Sequence, residues 1–424
     1  MRGFVVRVPS AARWAVGWGI LAGLVDWLCA VRYGTSASSD VTYFDVLARS
    51  FLDGHLSLPT PASKLDLTVR RGQYFVPFPP LPALLMLPFV AVLGVDGFNS
   101  VVFACVVGGL TTASVHLLLR AVRARGLAHV TDATIHWLTG AWAFGSVAWY
   151  MSMQGSVWFL GQTTAALFAS LALLAAVRRR PWWSAALLGV AMIGRPTLVL
   201  MLPALVLLVA DSRTRSEWVR PLWRMLVPVL VVMIGFAGYN QARFGSVTEF
   251  GYARQRVAQQ VSMRLKQQGQ FDLSFVPENT WAALVAGPHW NSETDSFEPD
   301  PWGMSILITT PAVLLALRAR RRLATVALWS GIGLVAVPLL TYYNTGWWQF
   351  GYRFALDLMP MLWVVMLIGA ADSGRSRSAI GSDPFAGDGA NPVGALPSVG
   401  LGRVWQVLIV IGVFVNYWGM TWFG

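Results

Sequence analysis

The sequence predicts an all-α polytopic membrane protein, and three observations lead there. Of 424 residues, 55% are hydrophobic and only 12% are charged, roughly half the charge of a soluble domain. Several apolar runs reach or approach the roughly 20 residues that cross a bilayer, and the alternating pattern of a membrane barrel is absent. The arginines behind the net charge of +12 fall in short clusters between apolar runs. That placement marks membrane topology and argues against a nucleic-acid partner.

The elements follow in order. Span 11–31 has Arg2, Arg7 and Arg13 before or at its start, which places the N-terminus inside and residues 32–78 outside. The segment 38–58 carries Tyr43, Val46, Leu47, Ser50 and Phe51 on one helical stripe and predicts an interfacial helix, with Asp40 at its N-cap and with Asp45 and Asp53 as solvated charges. The stretch 77–94 is short and proline-rich. As a span it would carry "RAVRARG" (120–126) outside, so it is predicted to lie on the outer surface. Spans 98–119, 133–150 and 157–177 then keep both "RAVRARG" and "RRR" (178–180) inside. Residues 181–210 are broken by Gly194-Arg195-Pro196 and are predicted as a hairpin of two arms shorter than a full crossing, with a thinned or water-filled cavity above the turn. Further spans fall at 225–240, 303–317, 323–342, 355–371 and 403–422, about eleven in all. A long external loop covers 241–302, and a Gly/Ser/Pro-rich cytoplasmic linker covers 372–402. The first thirty residues lack a cleavage signal and read as a retained span. Cys29 and Cys105 lie in apolar runs and imply neither a disulfide framework nor a metal site.

The unusual polar segments all fall on one predicted side, as suits an enzyme fed from one leaflet. A transporter would instead place such groups at mid-membrane. Arg195, between Gly and Pro, is costly in an apolar setting unless it faces a polar cavity or an anion. Arg353, within "YYNTGWWQFGYRFALDLMP" (342–360), reads either as a snorkelling interface residue or as a phosphate clamp, because a guanidinium grips phosphate oxygens in pairs. Asp357 is its expected i,i+4 partner. "YNQARFGSVTEFGY" (239–252) adds Arg243 and Glu249 among aromatic residues. The five histidines make no metal-binding spacing, and no nucleotide loop or GxSxG motif is present.

An early Asp in the first external loop, a surface helix, "GQYFVPFPPLPALLMLPFVAVLG" (72–94), and the 239–252 and 344–360 segments together resemble the GT-C glycosyltransferase superfamily, in its protein mannosyltransferase-like and aminoarabinose transferase-like bacterial branch. The resemblance spans most of residues 10–370 and rests on the order and common side of loose motifs, Tyr74, Phe75, Pro79, Pro80 and Leu81 among them. It implies a GT-C-like catalytic bundle over 1–371, juxtamembrane helices on the extracytoplasmic face, and a final helix at 403–424. It further implies a bacterial inner-membrane enzyme that moves a sugar from a polyprenyl-phosphate carrier to an extracytoplasmic lipid, glycan or protein. Asp40 matches the family's first-loop acid, as general base or acceptor-orienting group. Arg195 and Arg353 would hold the donor phosphate, with Tyr43, Tyr74, Arg243, Glu249, Tyr352 and Asp357 in support. The second acid that relatives place before the Pro-Pro pair is missing here, at Val76-Pro77-Phe78. Glu249 and Asp66 are the two replacements, and a divalent metal is left open. The rival expectation is a flippase of lipid-linked sugars that uses the same arginines without catalysis.

Overall fold

The computed structural model describes residues 10–39, 41–211, 214–380 and 398–423. The chain is mostly helical. Helix α1 (Ser10–Arg32) is followed by the short α2 (Phe44–Leu52), the hairpin β1 (Thr68–Arg70) and β2 (Gln73–Phe75), then α3 (Leu81–Gly97) and α4 (Ser100–Ala124). Next come α5 (Asp132–Phe144), α6 (Ala148–Ser152), α7 (Val157–Val177), α8 (Pro181–Gly194), α9 (Leu202–Ala210) and α10 (Arg215–Phe244). The remainder comprises α11 (Gln259–Gln268), α12 (Val276–Leu284), the hairpin β3 (His289–Asn291) and β4 (Ser296–Glu298), α13 (Ile306–Thr309), α14 (Leu323–Leu340), α15 (Met359–Ile380) and α16 (Arg403–Phe423). Both hairpins pair antiparallel, with Val69 opposite Tyr74 and Trp290 opposite Phe297.

Among the described residues, six helices are long and apolar enough to cross a membrane: 11–32, 100–124, 157–177, 216–244, 323–340 and 403–422. The expected count of eleven is therefore too high. The predicted span 133–150 breaks after Phe144 into α5 and α6. The predicted span 303–317 becomes one turn of α13 and a 3₁₀ stretch from Pro311 to Arg318. Pro311 has no N–H to continue the ladder, and its ring keeps Thr310 out of helical backbone, at φ −143° and ψ 61°. Helix α15 runs on to Ile380, so the first residues of the expected linker are helical. Most of that linker, 381–397, lies outside the described residues.

Helix α7 is the axis of the core, and almost all of its side chains are buried. Against it pack α4, α8, α9 and α15. Helices α1 and α4 approach through small residues. A Cβ at Gly19 would sit 3.0 Å from the Gly109 carbonyl oxygen, and one at Gly109 would collide with the Gly19 carbonyl. Such contact between membrane helices needs residues of this size. Trp363 of α15 fills the core beside Trp142 of α5, with ring centroids 5.2 Å apart, and its indole N–H bonds the Leu138 carbonyl at 2.8 Å.

Hydrogen bonds join the basic segments at one end of the bundle. Arg125 bonds the carbonyls of Ala176, Val177 and Leu208. Arg179 pairs with Asp211 at 2.5 Å, and both residues hold left-handed backbone, φ 55° and 50°, where their helices end. Arg322 reaches the Leu127 carbonyl and pairs with Asp372, while Val399 bridges to Val130. The two ends of 181–210 therefore lie together on this arginine-rich face, which makes the segment the hairpin that the arginines predict. At 14 residues, α8 is about 21 Å long, short of a hydrocarbon core of about 30 Å.

Helix α3 begins beside Gly194, which Leu81 touches, and ends beside Ser36 and Ser38, which bond Asn99 and Ser100. Both of its ends therefore sit at the opposite end of the bundle. Gly94, at φ 69° and ψ 173°, interrupts it further. In α2 the N-cap position falls on Tyr43 and not on Asp40, which lies outside the described residues. Asp45 is not solvated: it is buried and accepts hydrogen bonds from the Thr42 and Ser100 hydroxyls at 3.2 and 3.3 Å. Asp53 is exposed and pairs with Arg49.

Candidate functional site

A cavity of about 130 Å³ opens between the 65–66 turn, the first residues of α7, the tip of the 181–210 hairpin, and the 252–261 and 342–354 segments. Each polar side chain on its wall is set by a local device.

Arg195 caps α8 in extended backbone, φ −145° and ψ 95°, as a residue before proline must. Gly194 gives the tip room, because a Cβ there would lie 3.0–3.2 Å from Leu81, Ala165 and the Gly161 carbonyl. The Arg195 Nε and Nη2 both bond Asp357 Oδ2, at 2.9 and 2.7 Å. Asp357 Oδ1 lies 3.4 Å from Gln162 Nε2, which also reaches the Arg353 carbonyl.

Arg353 stands at the start of a 3₁₀ helix (Arg353–Asp357). With three residues per turn, positions i and i+4 do not share a face. The expected Arg353–Asp357 pair is therefore not formed, and Asp357 serves Arg195 instead. The loop before Arg353 is riveted by Gln349, fully buried, whose amide bonds the Trp302 and Thr345 carbonyls and accepts from the Arg353 N–H. Asn344 accepts from the N–H groups of Gly346 and Trp347. At Gly346, φ 107°, a Cβ would lie 2.9 Å from Arg353 Nε, so only glycine lets the guanidinium lie there. Phe354 stands between the two guanidiniums, 5.5 Å from Arg195 and 5.1 Å from Arg353, and Phe159 lies 5.2 Å from Arg353.

Arg353 is 7% exposed and has no carboxylate within ion-pair reach among the described residues. Its Nε is buried without a hydrogen-bond partner. Burial, joined by the like charge of Arg195, pushes its pKa down to about 10. An unpaired buried cation on a cavity wall is costly until an anion arrives.

Across the cavity, Asp66 holds left-handed backbone at φ 59°. Its N–H bonds the Arg256 carbonyl at 2.8 Å, and Arg256 N–H bonds Leu67 in return. The Tyr43 hydroxyl holds the adjacent Leu65 carbonyl at 2.7 Å. Asp66 Oδ2 accepts from the Trp158 indole at 2.6 Å. Burial raises its pKa above the ordinary aspartate value, against the Trp158 N–H and the charge of Arg353, which both lower it.

The cavity thus gathers Asp66, Arg195 and Arg353, with Asp357 behind Arg195. The other expected site residues lie elsewhere. Arg243 is buried under Tyr239 and Phe244 and bonds the Val76 carbonyl and Asn240, so it clamps the end of α10 to the strand exit and does not reach the cavity. Glu249 accepts from the Gly251 N–H in a separate depression beside Thr68 and Arg254. Tyr74 pairs across β1 and lies under Lys64, and Tyr352 is buried with its hydroxyl near the Leu339 carbonyl. Trp158 and Gln162 lie in no motif that the sequence offers, and Asn344, although inside the 342–360 segment, is not among its candidate site residues. Trp158 sits 92 positions from the acid that it bonds. Among the described residues, no group of three or more His, Cys, Asp or Glu side chains comes together.

Two apolar spaces flank the cavity. Behind Arg195, a chamber of about 200 Å³ is lined by Phe250, Phe271, Pro338, Leu339 and Phe354. Beyond Pro80 and Ile193, a groove of about 480 Å³ runs between α3 and α10. No family model matches the chain, and no curated protein matches it.

Proposed function

We propose that the chain is a GT-C-type glycosyltransferase of the bacterial cell membrane, which moves a sugar from a polyprenyl-phosphate carrier to an acceptor hydroxyl on the extracytoplasmic side. The observation that carries this reading is Arg353, a buried guanidinium without a counter-ion on the wall of a cavity that also holds a carboxylate. A phosphate would supply the missing negative charge, and the flat guanidinium suits its oxygens. Arg195, already oriented by Asp357, adds a second positive group. The apolar chamber on the far side of Arg195 suits the first isoprene units, with the phosphate at the arginine and the chain directed toward lipid.

The chemistry follows from these placements. The acceptor oxygen forms its bond to the anomeric carbon while the bond from that carbon to the phosphate oxygen breaks. The electron pair leaves with the phosphate, where Arg353 and Arg195 stabilise it. The acceptor proton goes to a carboxylate within hydrogen-bond reach. Asp66 is the acid that this cavity offers, and Asp40, the acid of the resemblance, is the second candidate. The test is reconstitution in liposomes with radiolabelled polyprenyl-phosphate sugars. Wild-type protein should release polyprenyl phosphate and label an acceptor, while Asp66→Asn and Arg353→Gln should not. A flippase would instead move the label across the bilayer in the wild type with no bond broken.

A further inference from the structure

A second charged cleft lies at the arginine-rich face, far from the cavity. Its volume is about 660 Å³, and six arginines border it: Arg120, Arg123 and Arg125 at the end of α4, and Arg178, Arg179 and Arg180 in the turn after α7. Among the described residues, two carboxylates lie within ion-pair reach of them. Asp132 takes Arg120 and Arg123, and Asp211 takes Arg125 and Arg179. That leaves an excess of four positive charges. Arg178 and Arg180 are exposed and have no ion-pair partner among the described residues, and the Arg125 Nε is buried without a hydrogen bond.

The floor beneath this charge is apolar. Ala11, Leu117, Ala121 and Val177 come from three helices long enough to cross a membrane, α1, α4 and α7. One surface therefore offers positive charge beside the apolar side chains of helices long enough to cross a membrane. The charge is also arranged in two banks, Arg120 and Arg123 on one and Arg178 and Arg180 on the other.

We infer that this cleft binds a membrane lipid whose head group carries two phosphates, one against each bank, with its chains descending along α1 and α4. Basic pockets between membrane helices take such head groups, and the guanidinium fork matches two phosphate oxygens at once. This inference stands apart from the transferase reading, since none of these residues lines the cavity.

The test uses the purified full chain in detergent, with native mass spectrometry to read retained lipid and cardiolipin and phosphatidylglycerol as probes. The wild type should retain cardiolipin at least about tenfold more strongly than phosphatidylglycerol. The double substitution Arg178→Gln/Arg180→Gln disturbs no hydrogen bond or ion pair of those side chains among the described residues, and it should abolish the preference. Ala124→Trp, which fills the cleft but keeps every arginine, should do the same. Arg71→Gln/Arg254→Gln on the opposite face should leave it intact. Equal retention of the two lipids, an unchanged preference in the double variant, or an equal loss in the opposite-face control would each overturn the assignment. Inorganic pyrophosphate in tenfold excess should fail to displace cardiolipin. Full displacement would mean that the cleft is a site for a soluble anion.

Discussion

The charge on Arg353 and the carboxylate of Asp66 face one cavity; Asp66 is oriented by an indole 92 positions away, and Arg353 by the loop just before it. If Asp66 takes the acceptor proton, Asp66→Asn should keep donor binding and lower turnover by about 10²–10⁴-fold. Asp40→Asn is the paired experiment. The N-cap of α2 falls on Tyr43, so a loss of turnover in Asp40→Asn alone could not be ascribed to a lost cap, and it would move the base to that residue. The pH profile gives an independent check. As the base, Asp66 has to be ionised, and burial raises its pKa. Activity should therefore fall as pH drops through a value above the ordinary aspartate range, and Asp66→Glu should shift that limb. An acid limb at the ordinary value would count against Asp66. Sequence made Arg195 and Arg353 legible because a cation beside Gly-Pro or among aromatic residues is costly without a partner. Asp66 could not be told from Glu249, since the Trp158 indole that orients it belongs to another helix. The partner of Asp357 was misjudged because the local helix is 3₁₀, which residue spacing alone does not announce.

At the scale of elements, the arginine clusters were a sound guide to which segments share a face, and they identified the 181–210 hairpin. They did not set the number of long helices. A run of apolar residues such as 303–317 satisfies hydropathy whether it is one helix or two broken pieces, and Pro311 and its neighbours decide that by backbone geometry. The seam between α1 and α4 was also hidden, because Gly19, Gly23 and Gly109 gain meaning only when the two helices meet. Gly109→Val should push α1 away from α4 and destabilise the chain by about 1–3 kcal/mol. Gly17→Val, where a Cβ meets nothing within 4 Å, should be close to neutral. Thermal unfolding in detergent would compare the two, and equal melting temperatures would mean that the seam is looser than described.

The whole molecule has two chemically distinct ends, a polar cavity at one and an arginine-rich cleft at the other. Single cysteines introduced at Ser63 and at Arg178, in a Cys29→Ala/Cys105→Ala background, should react with an impermeant thiol reagent from opposite sides of sealed vesicles. Labelling of both from one side would break the two-ended arrangement. The central claim, that the cavity receives the phosphate of a polyprenyl carrier through Arg353, is tested most directly by the equilibrium affinity of a polyprenyl phosphate for wild-type protein and for Arg353→Gln. The account predicts binding weakened by about 1.5–3 kcal/mol in the Gln variant, roughly 10- to 150-fold, with Arg353→Lys recovering only part of it. Equal affinity in the wild-type and Gln proteins would contradict it.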